Sequence, residues 1–190
     1  MSLASELPQT RFASVIDQLV RRLGDLLAVT WWLLLLVIVL NVVSRYLFAQ
    51  GRIELEELQW HLYAVGFLLG LSVAYVDDAH IRVDVLRERW HLVTRAWIEL
   101  YGILLLLLPF VALVIYASLP FISYSFATGE VSEAPGGLPL RWLIKSALLA
   151  GFILLLLTAL ARLTRVTCFL FGWPSGLVPA TVVDEEASPS

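Results

Sequence analysis

Three histidines, one lysine, one cysteine and 16 carboxylates are the groups with which this 190-residue sequence could do chemistry. Haem ligation needs histidines at matching depths on neighbouring helices. Only His61 falls inside an apolar segment, near its end, while His80 and His91 sit in a loop about a bilayer thickness away at ~1.5 Å per residue. They cannot share a haem with it, and an interfacial hydrogen-bonding role is expected for His61. An ATP-coupled subunit needs a phosphate-cradling G-x-x-x-x-G-K-[S/T] loop, and the only lysine, Lys145, has no such glycines before it. Neither a nucleophile elbow nor an H-E-x-x-H pair occurs. Cys168 has no second cysteine to pair with. The expectation is therefore no catalytic residue, no substrate-binding residue, no metal and no cofactor, in a chain that is not an enzyme.

What remains are charges at the borders of apolar segments: Arg45, Glu57, Glu99, Lys145 and Arg162. Near helix ends, long side chains reach the headgroups at little cost, so interfacial anchoring is the plain expectation. A sharper alternative pairs Arg45 with Glu56 or Glu57, fixing the first two helices against each other.

The elements that must position these groups follow from composition. The sequence is 59% hydrophobic and 15% charged, against roughly 45–50% and ~25% in soluble domains. A bilayer core of about 30 Å is crossed by ~20 apolar residues in a helix, and four such segments occur, at about 26–47, 58–76, 98–119 and 143–163. The fold class is thus an all-α integral membrane protein with four transmembrane helices plus amphipathic interfacial helices. Its expected organisation is a cytoplasmic N-terminal segment (1–25), a four-helix transmembrane domain (26–165) and a cytoplasmic tail (166–190). The first apolar segment is too long, and lacks the small-residue site, for a cleavable signal peptide. Nothing points to nucleic acid.

Nine of the 13 basic residues flank the ends that carry the two termini and the loop after the second span, leaving Arg45, Arg52, Arg141 and Lys145 on the other face. Basic residues near short loops stay in the cytoplasm, which places both termini inside. Phe12, Val15, Ile16, Leu19, Val20 and Leu23 recur at helical spacing, and Ala79 to Trp97 repeats the pattern; both read as amphipathic helices at the cytoplasmic interface. Trp31 and Trp32 read as interfacial anchors, with packing on another helix as the alternative. The Gly- and Pro-rich stretch 128–139 is an outer loop, and Pro109 and Pro120 are expected to bend or shorten the third span. Gly66, Gly70 and Ala74 fall on one face of the second span, with Ala147 and Gly151 on the fourth. Small residues let helix backbones approach closely in lipid, within the bundle or against a partner.

One combination is more specific: RYLF (45–48), ELEELQW (54–60), GFLLG (66–70) and HIRVDVL (80–86), in that order on a four-span frame. It resembles the small membrane subunit of tripartite ATP-independent periplasmic (TRAP) transporters, and EAPGGLPLRWLIKS (133–146) resembles the branch described for mannitol, chloroaromatic or keto-acid substrates. The resemblance implies a scaffold subunit in a bacterial inner membrane. It also implies a large multi-span membrane subunit that carries the sodium and substrate sites, and a periplasmic solute-binding protein. Solute uptake, of a small organic carboxylate, would be driven by sodium. Under that resemblance His80, Arg82 and Asp84 form a cytoplasmic structural corner; by themselves they equally suit a capped start to the loop helix. Two rival readings are a membrane anchor of a respiratory or redox complex and a self-associating small channel.

Overall fold

The computed structural model describes residues 7–49, 51–79 and 90–174. They form α1 (Arg11–Leu47), α2 (Ile53–Val76), α3 (Leu92–Tyr101), a π-helical stretch (Gly102–Leu107), α4 (Leu108–Ala127) and α5 (Arg141–Phe171). With α3, the π stretch and α4 continuous, four helices are long and apolar enough to cross a membrane. The chain is an all-α membrane protein. The helices alternate in direction, so the α1–α2 turn and the α4–α5 loop lie at one end, here the hairpin end. The start of α1, the end of α2, the start of α3 and the end of α5 lie at the other, the terminal end.

The amphipathic N-terminal stretch leads into the first span as one helix, α1. Thr10 caps it, accepting the Ala13 N–H at 3.2 Å, and the helix then runs 37 residues without interruption. Ala13, Ile16 and Val20 share one stripe and are buried against Val76, Leu154 and Ala161 of α2 and α5. The amphipathic stripe therefore faces protein, while Val15 and Leu19 face outward. Nothing breaks the helix before the span begins: Gly24 sits where a Cβ would meet the Val73 side chain at 3.2 Å, so it serves helix contact. At 1.5 Å per residue α1 is about 55 Å long, well beyond a hydrocarbon core of ~30 Å. Of the second amphipathic stretch, residues 80–89, with His80, Arg82 and Asp84, lie outside the described residues; Leu92 to Trp97 open α3.

Neither proline ends the third span. The Leu108 N–H donates to the Ile103 carbonyl, five residues back, and this wider turn makes room for the ring of Pro109, the second residue of α4. Pro120 lies inside α4, which continues to Ala127.

α5 packs on all the other helices. Its closest approach is at Gly151, where a Cβ would stand 2.9 Å from the Leu68 carbonyl oxygen of α2. Beside it, Phe152 and Leu155 join Tyr75 and Val111 in a buried cluster. Gly66 receives the indole of Trp31, 3.2 Å from where a Cβ would be, and the same indole meets Tyr63 edge-on at 6.2 Å. Trp31 thus packs on a neighbouring helix; Trp32 is the outward member, 74% exposed. Gly70 meets nothing within 4 Å, and Ala147 is half-buried. Because the Leu68 atoms at Gly151 are backbone, they cannot swing away, and Gly151→Leu should cost about 1–3 kcal/mol of overpacking. Gly70→Leu should cost nothing measurable. Unfolding in sodium dodecyl sulfate followed by circular dichroism separates the two; an unchanged midpoint for Gly151→Leu would show that the α2–α5 crossing is not tight.

Candidate functional site

The polar groups gather into two ion-pair clusters, one at each end of α5. At the terminal end, α2 closes with paired bonds: Ala79 N–H to Ala74 O at 2.9 Å and Asp78 N–H to Tyr75 O at 3.4 Å. This pattern satisfies the last carbonyls when the residue after the cap is left-handed, a place usually taken by glycine. Here Asp78 occupies it with φ +58°, which swings its carboxylate inward. Arg162 of α5 donates to Asp78 at 3.0 Å and to Glu99 of α3 at 2.6 Å. All three are nearly excluded from solvent, with Arg162 4% exposed. One turn on, Arg165 pairs with Asp17 of α1 and donates to Gln9 at 2.8 Å, and Thr10 bonds Thr164 at 3.0 Å. α5 is therefore tied to α1, α2 and α3 through charge.

At the hairpin end the α4–α5 loop is folded onto α2. α4 closes with Gly129 in the left-handed region and the Glu130 N–H on the Ser125 carbonyl at 3.1 Å. Glu130 then pairs with Lys145 of α5, whose Nζ also lies 4.0 Å from the centre of the Phe121 ring. The Lys145 ammonium holds the Glu130 carboxyl below its ordinary range. The folded value lies under the unfolded one, so the pair's contribution is complete above the unfolded value and is lost as pH falls through the lowered one. Glu57 of α2 accepts from the Ser132 hydroxyl and from the Leu138 N–H at 2.6 Å, with Arg141 at 3.7 Å. Gly137 is obligatory here, because a Cβ would collide with Ser132. His61 bonds the Glu57 carbonyl at 2.6 Å through Nδ1.

These contacts revise the expected role of the border charges. Glu57, Glu99, Lys145 and Arg162 each have protein partners. Arg45 pairs with neither Glu56 nor Glu57: the Glu57 carboxylate is taken by the loop, while Arg45 and Glu56 line a common cleft without an ion pair. The sequence did not single out Asp78 and Glu130, and gave Asp17 only as a polar neighbour of the N-terminal amphipathic stripe. A usable signal existed in Glu99 and Arg162, lone opposite charges at the same end of two apolar segments. Gly66 and Gly151 serve contacts within the chain. Among the described residues no group of three or more His, Cys, Asp or Glu is placed to hold a metal.

From Lys145 to Arg162 along α5 is about 26 Å at 1.5 Å per residue, close to the ~30 Å hydrocarbon core, and no Asp, Glu, Lys, Arg or His lies between them. Fold and clusters together define a membrane-spanning four-helix bundle braced at both faces. Residues 34–169 match the family described as "Tripartite ATP-independent periplasmic transporters, DctQ component". That match covers more than half of the chain, which therefore belongs to this family and is a small-subunit component of a TRAP transporter. No curated protein matches the chain.

Proposed function

We propose that this chain is the scaffold subunit of a sodium-driven TRAP system that takes up a small organic carboxylate. The large membrane subunit carries the sodium and solute sites, and a periplasmic binding protein delivers the solute. The observation that carries this reading is the division of charge within the bundle. Ion pairs gather at its two ends, and each span is uncharged between them. Intramembrane transport sites present ionisable groups near the midplane, or broken helices whose ends face a cavity. A bundle clamped at both ends is suited to stand still while a partner moves. The family assignment favours this reading over a redox-complex anchor and over a self-associating channel.

In this arrangement both termini are cytoplasmic, in a bacterial inner membrane, and the 128–140 loop is periplasmic. The loop that carries His80, Arg82 and Asp84 is then on the cytoplasmic side. Two measurements test the proposal. In a Cys168→Ala background, a cysteine at the exposed Val131 should react with an impermeant maleimide from the periplasm; labelling only from the cytoplasm would invert the topology. Co-expressed with a tagged large TRAP subunit, the chain should co-purify in fixed ratio, and recovery of the tagged subunit alone in mild detergent would argue against a scaffold.

A further inference from the structure

The outward face of α4 differs in kind from that of α1. On α1 every exposed residue from Val29 to Leu40 is Val, Ile, Leu or Trp, a surface for lipid chains. On α4, Pro109, Ala112, Tyr116, Pro120 and Ser123 are all exposed and follow one another at steps of three or four residues, so they share one face. Small residues, prolines and a phenol stand there in place of long aliphatics. Tyr116 is 77% exposed, and its hydroxyl has no hydrogen-bond partner among the described residues. Glu99, held by Arg162, and Glu130, held by Lys145, mark the two ends of the third span. Tyr116 stands between them, about 25 Å from the first and about 21 Å from the second at 1.5 Å per residue. Aromatic side chains in helices lean toward the helix N-terminus, which for α4 is toward the membrane centre and away from the nearer headgroups. The hydroxyl therefore sits at hydrocarbon depth. Pro120 adds an acceptor on the same face: it lies inside the helix and has no N–H to give the Tyr116 carbonyl four residues back.

A donor and an acceptor exposed at this depth are costly against lipid chains, which can bond to neither. We infer that this face of α4 is the surface on which a transmembrane helix of the large TRAP subunit docks, presenting a Ser, Thr, Asn or Gln side chain to Tyr116. Such side chains both donate and accept, which suits the phenol and the freed carbonyl. Ala112 and Ser123, on either side of Tyr116, let the two backbones approach closely. A second copy of this chain is a poorer occupant. In a parallel pair Tyr116 would meet Tyr116 at the point where close approach calls for a small residue, and the Ser123 hydroxyl is already donated to the Pro120 carbonyl at 3.1 Å. This docking presupposes the proposed partnership with the large subunit and adds to it the face and the bond.

A photo-reactive phenylalanine in place of Leu113, which is 66% exposed and one turn from Tyr116, tests the docking in cells that express the full-length chain with a tagged large subunit. Irradiation should join the two proteins from position 113 and should give no protein adduct from Leu36 on α1, 53% exposed. In liposomes that carry the two subunits with donor and acceptor fluorophores, Tyr116→Phe should raise the apparent Kd about three- to tenfold, the effect of one hydrogen bond between helices in a membrane. Tyr124→Phe removes a phenol two turns nearer the hairpin end, within reach of headgroups, and should leave the Kd unchanged. Both tyrosines are exposed, so neither change should disturb the fold, which far-UV circular dichroism verifies. A complex that forms without an adduct from position 113 to the large subunit would overturn the inference, and so would wild-type affinity in Tyr116→Phe. An adduct between two copies of this chain would assign the face to a homodimer and overturn it as well. If the wild-type chain does not associate with the large subunit at all, the scaffold proposal itself falls, and the docking with it.

Discussion

Proteoliposomes that contain the large TRAP subunit and the binding protein but lack this chain should show no sodium-driven uptake, and this chain alone should also show none. The second half follows from the spans themselves. No Asp, Glu, Lys or Arg occurs between Asp25 and Arg45, between Glu57 and Asp77, between Glu99 and Glu130, or between Lys145 and Arg162. Placing a charge at mid-membrane costs about 2.5–3.5 kcal/mol on insertion scales, so a functional one stands out, and none does. The first half follows from what the bundle leaves uncovered. α1 and the α3–α4 rod present Trp32, Leu36, Leu106, Leu113 and Tyr116, each more than half exposed, as surfaces for lipid or a membrane partner, while the end clusters hold the helices in fixed register. Saturable uptake by the isolated chain would overturn the scaffold proposal, and undiminished uptake in its absence would remove the role altogether.

Arg162→Met should destabilise the chain by about 3–5 kcal/mol, the cost of taking one member from a buried ion cluster. Arg162 is the cation that Asp78 and Glu99 share, and it joins α2, α3 and α5 at one depth. The loss should appear as a lower unfolding midpoint in sodium dodecyl sulfate and poor accumulation in the membrane. Neutralising the two carboxylates in the same protein, with Asp78→Asn and Glu99→Gln, should recover at least half of the loss, because asparagine tolerates the left-handed backbone at 78 and no buried negative charge remains. Asp78→Gly supplies a contrast: it relieves the backbone at φ +58° but discards the carboxylate. It should be less stable than wild type if the ion cluster outweighs backbone strain, which is of order 1–3 kcal/mol. Wild-type stability for Arg162→Met would mean that the cluster contributes nothing net.

Length and polarity determined the large features of this protein from its sequence. Four apolar segments of spanning length have one low-energy arrangement in a bilayer, since each backbone polar group must bond within its own helix. The Gly- and Pro-rich composition of 128–139 is likewise incompatible with helix, and the structure places a loop there. Charge was confined to the ends for the same energetic reason, so the strings that mark the TRAP small subunit could be read without coordinates. What tertiary structure alone decided was which neighbour each side chain meets. Glu56 and Glu57 are adjacent in sequence, but one helical step is a rotation of about 100°, enough to send one into the α1–α2 cleft and the other to the loop and Arg141. Gly70 and Gly151 belong to similar small-residue patterns, yet only Gly151 meets a backbone. The N-terminal stripe of α1 suited a membrane surface as well as a protein groove, and Asp17 on Arg165 with Val20 on α5 settled it. Periodicity fixes that a face exists; the rotation and crossing of the helices, set by packing across the whole bundle, fix what that face touches.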